Sequence, residues 1–226
     1  LALPPGWRVT PAAQPFQLAA VGARTTLRFE VTAPAQAGAG RMTAAAVVGG
    51  QRYSQQRIEI NYAHIPLQLL QPPARARLLC TEVAKRGQRV GYLAGAGDDT
   101  ASALEQLGYA VTMLSGADLV PEKLAGLDAV VIGVRAFNER RDLSASVNGL
   151  WKYVENGGTV IAQYNRPNGL RTEALGPYPL SIQGSAPQLR VTDETAPVTV
   201  LVPEHPALTT PNRIGKADFD GWVQER

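Results

Sequence analysis

Hydrophobic and polar residues alternate with a period of two in the first part of the chain. Leu27, Phe29 and Val31 fall on one face of an extended segment, with polar residues between them, which is typical of a half-buried strand. Similar short runs, bounded by glycine and proline, occur at 16–21, 42–48 and 56–62. Short strands with a turn about every ten residues predict an immunoglobulin-like β-sandwich over residues 1–65.

The alternation stops in the next stretch of chain. Pro66, Pro72 and Pro73 interrupt regular structure between residues 66 and 88, where we expect a linker and a lead-in to the next domain. Cys80 is the only cysteine, so a disulfide within the chain and a cysteine-rich metal site are both excluded. We expect Cys80 to be a half-buried small hydrophobic residue rather than a reactive thiol.

From residue 89 onward, strand patterns alternate with helical ones. The sequence predicts strands at 89–93, 110–114, 128–133 and 159–163, and helices at 100–107, 121–124 and 143–155. This order predicts an α/β domain over 89–226 with a flavodoxin-like, doubly wound parallel sheet. Further strand-like runs occur at 189–191 and 198–202. Because such sheets usually contain more strands than these, we expect the domain to be truncated at its C-terminal end.

A glycine-rich turn, Gly95-Ala96-Gly97, joins the first of these strands to its helix. A dinucleotide-binding turn would lie at this place. However, Asp98 replaces the third glycine of that fingerprint, and Asp98 and Asp99 together put two carboxylates where a phosphate would bind. We therefore expect a helix cap and a structural turn. A role for the two aspartates in contacting a polyol or a cation stays open.

Polar residues also follow the third and fourth strands, at the sheet edge where ligands bind in open α/β folds. Their amide and guanidinium groups suit the hydroxyls and carboxylates of a carbohydrate. The alternative is a solvated loop surface with Arg–Asp pairs. The candidate ligand-binding residues are Asp98, Asp99, Arg135, Asn138, Gln163, Tyr164, Asn165 and Asp220. Trp222 is expected in the core, with sugar stacking as the alternative.

Two parts of the sequence resemble known families. Pro5-Gly6-Trp7, Phe16 and the run 26–34 (TLRFEVTAP) resemble the β-sandwich domain associated with bacterial α-galactosidases and other secreted glycan-active enzymes. The C-terminal region of long PIG-L (LmbE-like) deacetylases is similar to segments 90–99 (VGYLAGAGDD), 134–138 (VRAFN), 153–159 (YVENGGT) and 218–226 (DFDGWVQER). This second resemblance implies a class I glutamine amidotransferase-like α/β domain.

The resemblance also implies where the chemistry of the parent enzyme lies. Members of the deacetylase family carry an N-terminal zinc-dependent N-deacetylase domain with a His-Pro-Asp-Asp motif, which this sequence lacks. It thus implies a catalytic domain upstream of Leu1 as the partner of this region, and a periplasmic or secreted location. In amidotransferase-like folds the catalytic cysteine follows the fourth strand. Ala162, Gln163 and Tyr164 stand there, so no catalytic residue is expected in this chain.

Charge and composition limit the other function classes. His64 and His205 are the only histidines, and with one cysteine they form no zinc ligand set, so we expect neither a metal site nor a cofactor. The formal net charge is +3 and the basic residues are scattered, so no nucleic-acid partner is expected. No apolar run reaches the roughly 18–20 residues that span a bilayer.

The sequence therefore predicts a non-catalytic, carbohydrate-associated or positioning region of a zinc-dependent N-acetyl-sugar deacetylase, a hydrolase. Two alternatives stay open. One is a stand-alone hydrolase that uses Asp98, Asp99 or His205 at an unrecognised site. The other is a structural module for dimerisation or spacing.

Overall fold

The computed structural model describes residues 1–182 and 193–221. The chain divides into two compact units, Leu1–Glu82 and Val83–Arg226. The boundary between them lies inside the stretch 66–88, which the sequence analysis assigns to a linker.

The first unit is built from short strands that pair two by two. They are β1 (Arg8–Thr10), β2 (Glu30–Thr32), β3 (Gly38–Thr43), β4 (Ala46–Val48), β5 (Gln51–Tyr53), β6 (Ile58–Ile60), β7 (Gln68–Leu70) and β8 (Arg75–Cys80). The antiparallel pairs are β1 with β2, β3 with β8, β4 with β5, and β6 with β7. The predicted β-rich character of this region is confirmed.

Strands β7 and β8 lie in the stretch that was expected to be a linker. In the longest pairing of the unit, Gly38 of β3 lies opposite Cys80 of β8, and Thr43 lies opposite Arg75. Prolines at 66, 72 and 73 flank these strands, where a missing N–H removes no ladder bond. The predicted strand at 16–21 is wrong, because this run pairs with no other segment of the unit.

The first unit keeps its apolar side chains near the surface. Among residues 1–82, all of which the structure describes, none is buried. The apolar residues that alternate with polar ones in the sequence, such as Leu27, Phe29 and Val31, are only half-buried. Several large apolar side chains are exposed, among them Leu79 with 60% of its surface.

The second unit contains one four-stranded parallel sheet. Its strands are β9 (Arg89–Leu93), β10 (Ala110–Met113), β11 (Ala129–Ile132) and β12 (Val160–Ala162), in the order β10-β9-β11-β12. The helices are α1 (Thr100–Gln106), α2 (Pro121–Leu124), α3 (Ala136–Glu139), α4 (Arg141–Glu155) and α5 (Pro206–Thr209), with 3-10 turns at Gly116–Asp118 and Lys216–Phe219. The α/β prediction for this region is confirmed, and α3 and α5 are additions to it.

The core of the second unit lies on both faces of this sheet. Val130 and Ile132 of β11 are fully buried in the larger cluster, while Val131 between them joins a smaller cluster on the opposite face. Helix α4 supplies Leu143 and Leu150 to the larger cluster, and both are 0% exposed. Their spacing puts them on one side of the helix. A sheet covered on both faces explains why β11 is apolar throughout.

The C-terminal part of the second unit departs from the sequence prediction. The run 198–202 forms no strand within the described part of the chain, and Leu201 is 87% exposed. An apolar run becomes a strand only when another strand pairs with it. The predicted strand at 189–191 and Trp222 lie outside the described residues.

Candidate functional site

The loops that follow β9 and β11 touch each other through their backbones at the carboxyl edge of the sheet. Ala96 N donates to Val134 O at 2.7 Å, and Gly133 N donates to Leu93 O at 2.8 Å. A Cβ atom on Gly95 would lie 1.9 Å from Val134 O. Glycine at position 95 therefore allows two loops to meet, which is a structural use of the glycine-rich turn.

Asp98 joins three elements at this edge. Its Oδ1 accepts hydrogen bonds from Tyr92 OH and from Thr100 N, the latter at 2.9 Å, and its Oδ2 accepts from Val134 N at 3.3 Å. Tyr92 belongs to β9, Thr100 begins α1, and Val134 follows β11. Asp98 thus caps α1 by accepting from the N–H of its first residue, whereas Asp99, the N-cap residue, makes no side-chain cap bond. Both aspartates are exposed.

The protonation states of Asp98 and Tyr92 are fixed across the neutral range. Burial raises the pKa of Asp98, but hydrogen bonds from Tyr92, Thr100 and Val134 outweigh it, so the pKa lies below its ordinary value. Burial and the Asp98 carboxylate raise the pKa of Tyr92 to about 12. A general acid or base works best with a pKa near the operating pH. This pair is therefore suited to holding loops together rather than to moving protons at neutral pH.

Gln163 extends the same network to the fourth strand. Its Nε2 donates to Thr100 Oγ1 at 2.8 Å, and its backbone N donates to Ile132 O at 3.0 Å. Tyr164 follows it, with a side chain that is 66% exposed and a carbonyl that accepts from Arg135 N at 2.7 Å. Of these two predicted ligand residues, Gln163 is engaged internally and Tyr164 faces solvent.

Asn138 and Asn165 are the buried polar residues of the described chain, with exposed fractions of 7% and 8%. Asn138 Nδ2 donates to the carbonyls of Arg166 and Asn168, both at 3.1 Å, and its Oδ1 accepts from Arg166 N at 2.9 Å. Asn165 Oδ1 accepts from Phe137 N at 3.1 Å, and its Nδ2 donates to Gln163 O at 2.8 Å. Both amides therefore fasten α3 to the loop after β12.

Arg135 occupies a strained turn between β11 and α3. Its φ of 59° is the only positive value at a non-glycine residue in the described chain, and this conformation costs an L-residue roughly 1–2 kcal/mol. Its Nη2 pairs with Glu139, while its Nε is buried and has no hydrogen-bond partner among the described residues. A tight elbow was expected only after the fourth strand. The sequence signal for the turn at Arg135 is the step from an apolar strand into Gly133.

A second arginine, Arg140, makes hydrogen bonds at the same edge of the sheet. It donates from Nε to Asp142 Oδ1 at 3.0 Å and from Nη1 to Ala94 O at 3.1 Å. Asp142 Oδ2 also accepts from Gly116 N at 2.8 Å, and the hydrogen bond from Arg140 is the main cause that lowers the pKa of Asp142. The Arg–Asp pairing considered from the sequence is present here, and it joins the loops after β9 and β10.

Asp220 lies apart from the other candidate residues. It is exposed after the 3-10 turn Lys216–Phe219, and its backbone N donates to Ala217 O at 3.2 Å. Asn212, in the same segment, accepts from Ala84 N at 2.8 Å and donates to Ala84 O at 2.7 Å. Because Ala84 precedes β9, these bonds tie the segment to the amino side of the sheet. No hydrogen bond within the described ranges joins Asp220 to the carboxyl edge.

The two histidines take part in local structure. His205 caps α5, with its Nδ1 accepting from Ala207 N at 3.2 Å, so it lies at the start of a helix. His64 stacks on Tyr62 with ring centroids 5.8 Å apart. The two histidines lie in different units, His64 in the first and His205 in the second.

A cavity of about 730 Å³ lies in the loop after β12. The described residues that line it all fall between Pro167 and Ile182. None of the sequence-predicted site residues is among them. This stretch is rich in proline and glycine, and no residue spacing within it marks a cavity.

Within 1–182 and 193–221, no cluster of three or more His, Cys, Asp or Glu side chains could hold a metal ion. No helix in the same ranges is long and apolar enough to cross a membrane. Searches of protein-family models, curated proteins and solved structures find no match to this chain.

Proposed function

We propose that this chain is a non-catalytic, carbohydrate-associated region of a PIG-L-type N-acetyl-sugar deacetylase, which acts outside the cytoplasm. The observation that carries the proposal is the internal use of the polar side chains at the carboxyl edge. Asp98, Asn138 and Asn165 each bond to groups of neighbouring loops. Side chains engaged in this way stabilise a framework, and the buried amides of Asn138 and Asn165 are not available to a substrate.

The two turns that would present a nucleophile support the same proposal. Arg135 stands at the strained turn after β11, and Gln163 and Tyr164 follow β12. A guanidinium, an amide and a phenol are not the groups that serve as nucleophiles in amidotransferase-like acyl transfer, which uses a cysteine. The catalytic step of the proposed enzyme is assigned to an upstream zinc-dependent domain by the family resemblance.

We also propose a specific fold for each of the two units. The strand order β10-β9-β11-β12 has the second strand at the edge beside the first, followed by the third and fourth, which is the start of the flavodoxin-like order. This supports an amidotransferase-like domain. For residues 1–82, the proposal of an immunoglobulin-like sandwich rests on the short, turn-separated strand patterns of the sequence, because the described strands pair only two by two.

One experiment tests binding and catalysis together. The 226-residue chain is mixed with an insoluble, partly N-acetylated amino-sugar polymer, and both the protein in the pellet and the acetate released are measured. We expect the protein to be retained in the pellet and acetate to stay at the level of a protein-free control. A failure to sediment with the polymer would contradict the carbohydrate part of the proposal.

Acetate release would favour the stand-alone hydrolase instead. In that case Asp98→Asn should abolish release, while Glu122→Gln, at an exposed position of α2, is the control and should not change it. Far-UV circular dichroism of both variants verifies that they fold.

Dimerisation as the sole role of this chain is tested by sedimentation velocity. A monomer at all protein concentrations would exclude that role.

A further inference from the structure

The loop after β12 is unusual for a compact domain. No helix or strand occurs between residues 163 and 182, all of which are described. Ordered loops longer than about 12–15 residues are uncommon and are usually functional. This one leaves the carboxyl end of a parallel strand, and its cavity of about 730 Å³ falls within the range of ~300–1,000 Å³ found for small-molecule sites.

The wall of this cavity is anchored to the core at several points. Arg171 N donates to Phe137 O at 2.9 Å, and Trp151 Nε1 donates to Ala174 O at 3.1 Å. Leu175 lies in the core and is 7% exposed. Asn138 holds the start of the loop through Arg166 and Asn168, as described above. A loop fixed in this way loses little conformational freedom when a ligand binds.

The lining combines hydrogen-bonding groups with apolar ones. Asn168, Thr172 and Ser181 supply an amide and two hydroxyls, and Leu170 and Leu180 supply apolar surface. Thr172 Oγ1 accepts from Ala174 N at 3.2 Å, which leaves its hydroxyl hydrogen free to be donated. A sugar ring presents the matching groups, because its hydroxyls lie around the edge and its C–H bonds form apolar faces.

Glu173 gives the cavity its charge. It is the one charged residue among the described lining residues, and it takes part in none of the ion pairs formed within the described ranges. An exposed, unpaired carboxylate selects for a cationic group, since a charge-assisted hydrogen bond is stronger than a neutral one. We propose that this cavity binds an amino sugar through its ammonium group, with Glu173 as the acceptor. The choice of a sugar rests on the proposed function.

The test uses calorimetric titration of the intact chain with two soluble probes, a glucosamine tetrasaccharide and its fully N-acetylated form. At mildly acidic pH the first carries ammonium groups and the second is neutral. We expect the first to bind more tightly, and Glu173→Gln to weaken its binding by about two- to fivefold while changing the affinity for the acetylated probe little. Glu122→Gln, at an exposed position of α2, is the control and should leave both affinities unchanged.

The outcomes separate this inference from the proposed function. Equal affinity of wild type and Glu173→Gln for the glucosamine probe overturns the assignment of the cavity, as does a preference for the acetylated probe or no binding of either. If the wild-type chain still sediments with the polymer in those cases, the proposed function stands and only the site is wrong. Release of acetate by the chain, in contrast, overturns the proposed function, whatever Glu173→Gln does.

Discussion

Residues 1–82 and the second unit contain similar kinds of apolar residues, but they place them differently. In the first unit each strand pairs with one partner and no residue is buried, whereas in the second unit the central strands β9 and β11 have a neighbour on both sides and helices pack against the sheet. Leu79 and Leu143 illustrate the contrast, with exposed fractions of 60% and 0%. Burial, and not composition, therefore makes the second unit the stable framework.

The polar residues show a parallel difference. In the first unit the pair Arg57–Glu59 lies at the surface, where ion pairs contribute little. In the second unit Asp98, Asn138 and Arg140 connect loops that follow different strands. The carboxyl edge of the sheet is thus held together by its own side chains.

The largest expected effect comes from a matched pair of leucine truncations. Leu143→Ala removes a fully buried side chain and should lower the free energy of unfolding by about 2–5 kcal/mol. Leu79→Ala removes a largely exposed side chain and should change it by less than about 0.5 kcal/mol. Urea denaturation followed by tryptophan fluorescence measures both. Equal losses would show that the first unit has a core after all.

Adding one methyl group at a glycine tests the loop contact. Gly95→Ala places a Cβ where Val134 O already lies, and should destabilise the protein by about 1–3 kcal/mol. Gly38→Ala is the counterpart in the first unit, where nothing lies within 4 Å of the new atom. Thermal unfolding compares the two variants. A neutral Gly95→Ala would mean that the loops after β9 and β11 do not touch.

Removing a buried amide should loosen the loop after β12. Asn138→Ala leaves the backbone groups of Arg166 and Asn168 without their partner, at a cost of about 1–3 kcal/mol. Amide hydrogen exchange between residues 166 and 175 should accelerate as well. Asn148→Ala, at an exposed position of α4, should change neither quantity. If both variants behave alike, Asn138 does not hold the loop.

The smallest expected effect is a shift in one titration. The folded-state pKa of Tyr92 is raised to about 12 from an ordinary 10.0, so the folded protein keeps a proton that the unfolded chain loses, and stability falls as pH rises between these values. Near-UV absorbance of the phenolate, with Tyr92→Phe to identify the signal, measures this pKa. Asp98→Asn should lower it, although not fully to 10.0, since burial remains. An unchanged value would argue against the Tyr92–Asp98 bond.

The fold of the second unit was largely predictable because its signals are local. The apolar run of β11 and the helical spacing of Leu143 and Leu150 each depend on a few neighbouring residues. The helix end at Gly108, with φ of 85°, is a local signal as well. In the first unit, pairing between β3 and β8 joins segments far apart in sequence. No local pattern encodes that pairing, so the stretch around Pro72 was expected to be a linker.

The candidate site was predictable in position but not in detail. The carboxyl ends of parallel strands meet at one edge of the sheet, so the sequence predicts that Asp98, Asn138 and Gln163 all lie at that edge. Whether an amide points toward solvent or into the protein depends on packing, and Asn138 is buried. The cavity of the loop after β12 arises from tertiary anchors such as Trp151, which have no sequence signature.

Hydrogen exchange of the intact chain, followed by mass spectrometry, tests the contrast between the two units most directly. We expect the slowest amides in β9, β11 and α4, and we expect protection of Val134 and Arg166, whose N–H groups bond to the side chains of Asp98 and Asn138. Residues 1–82 should exchange much faster. Slow exchange in β3 and β8, or rapid exchange at Val134 and Arg166, would contradict the account.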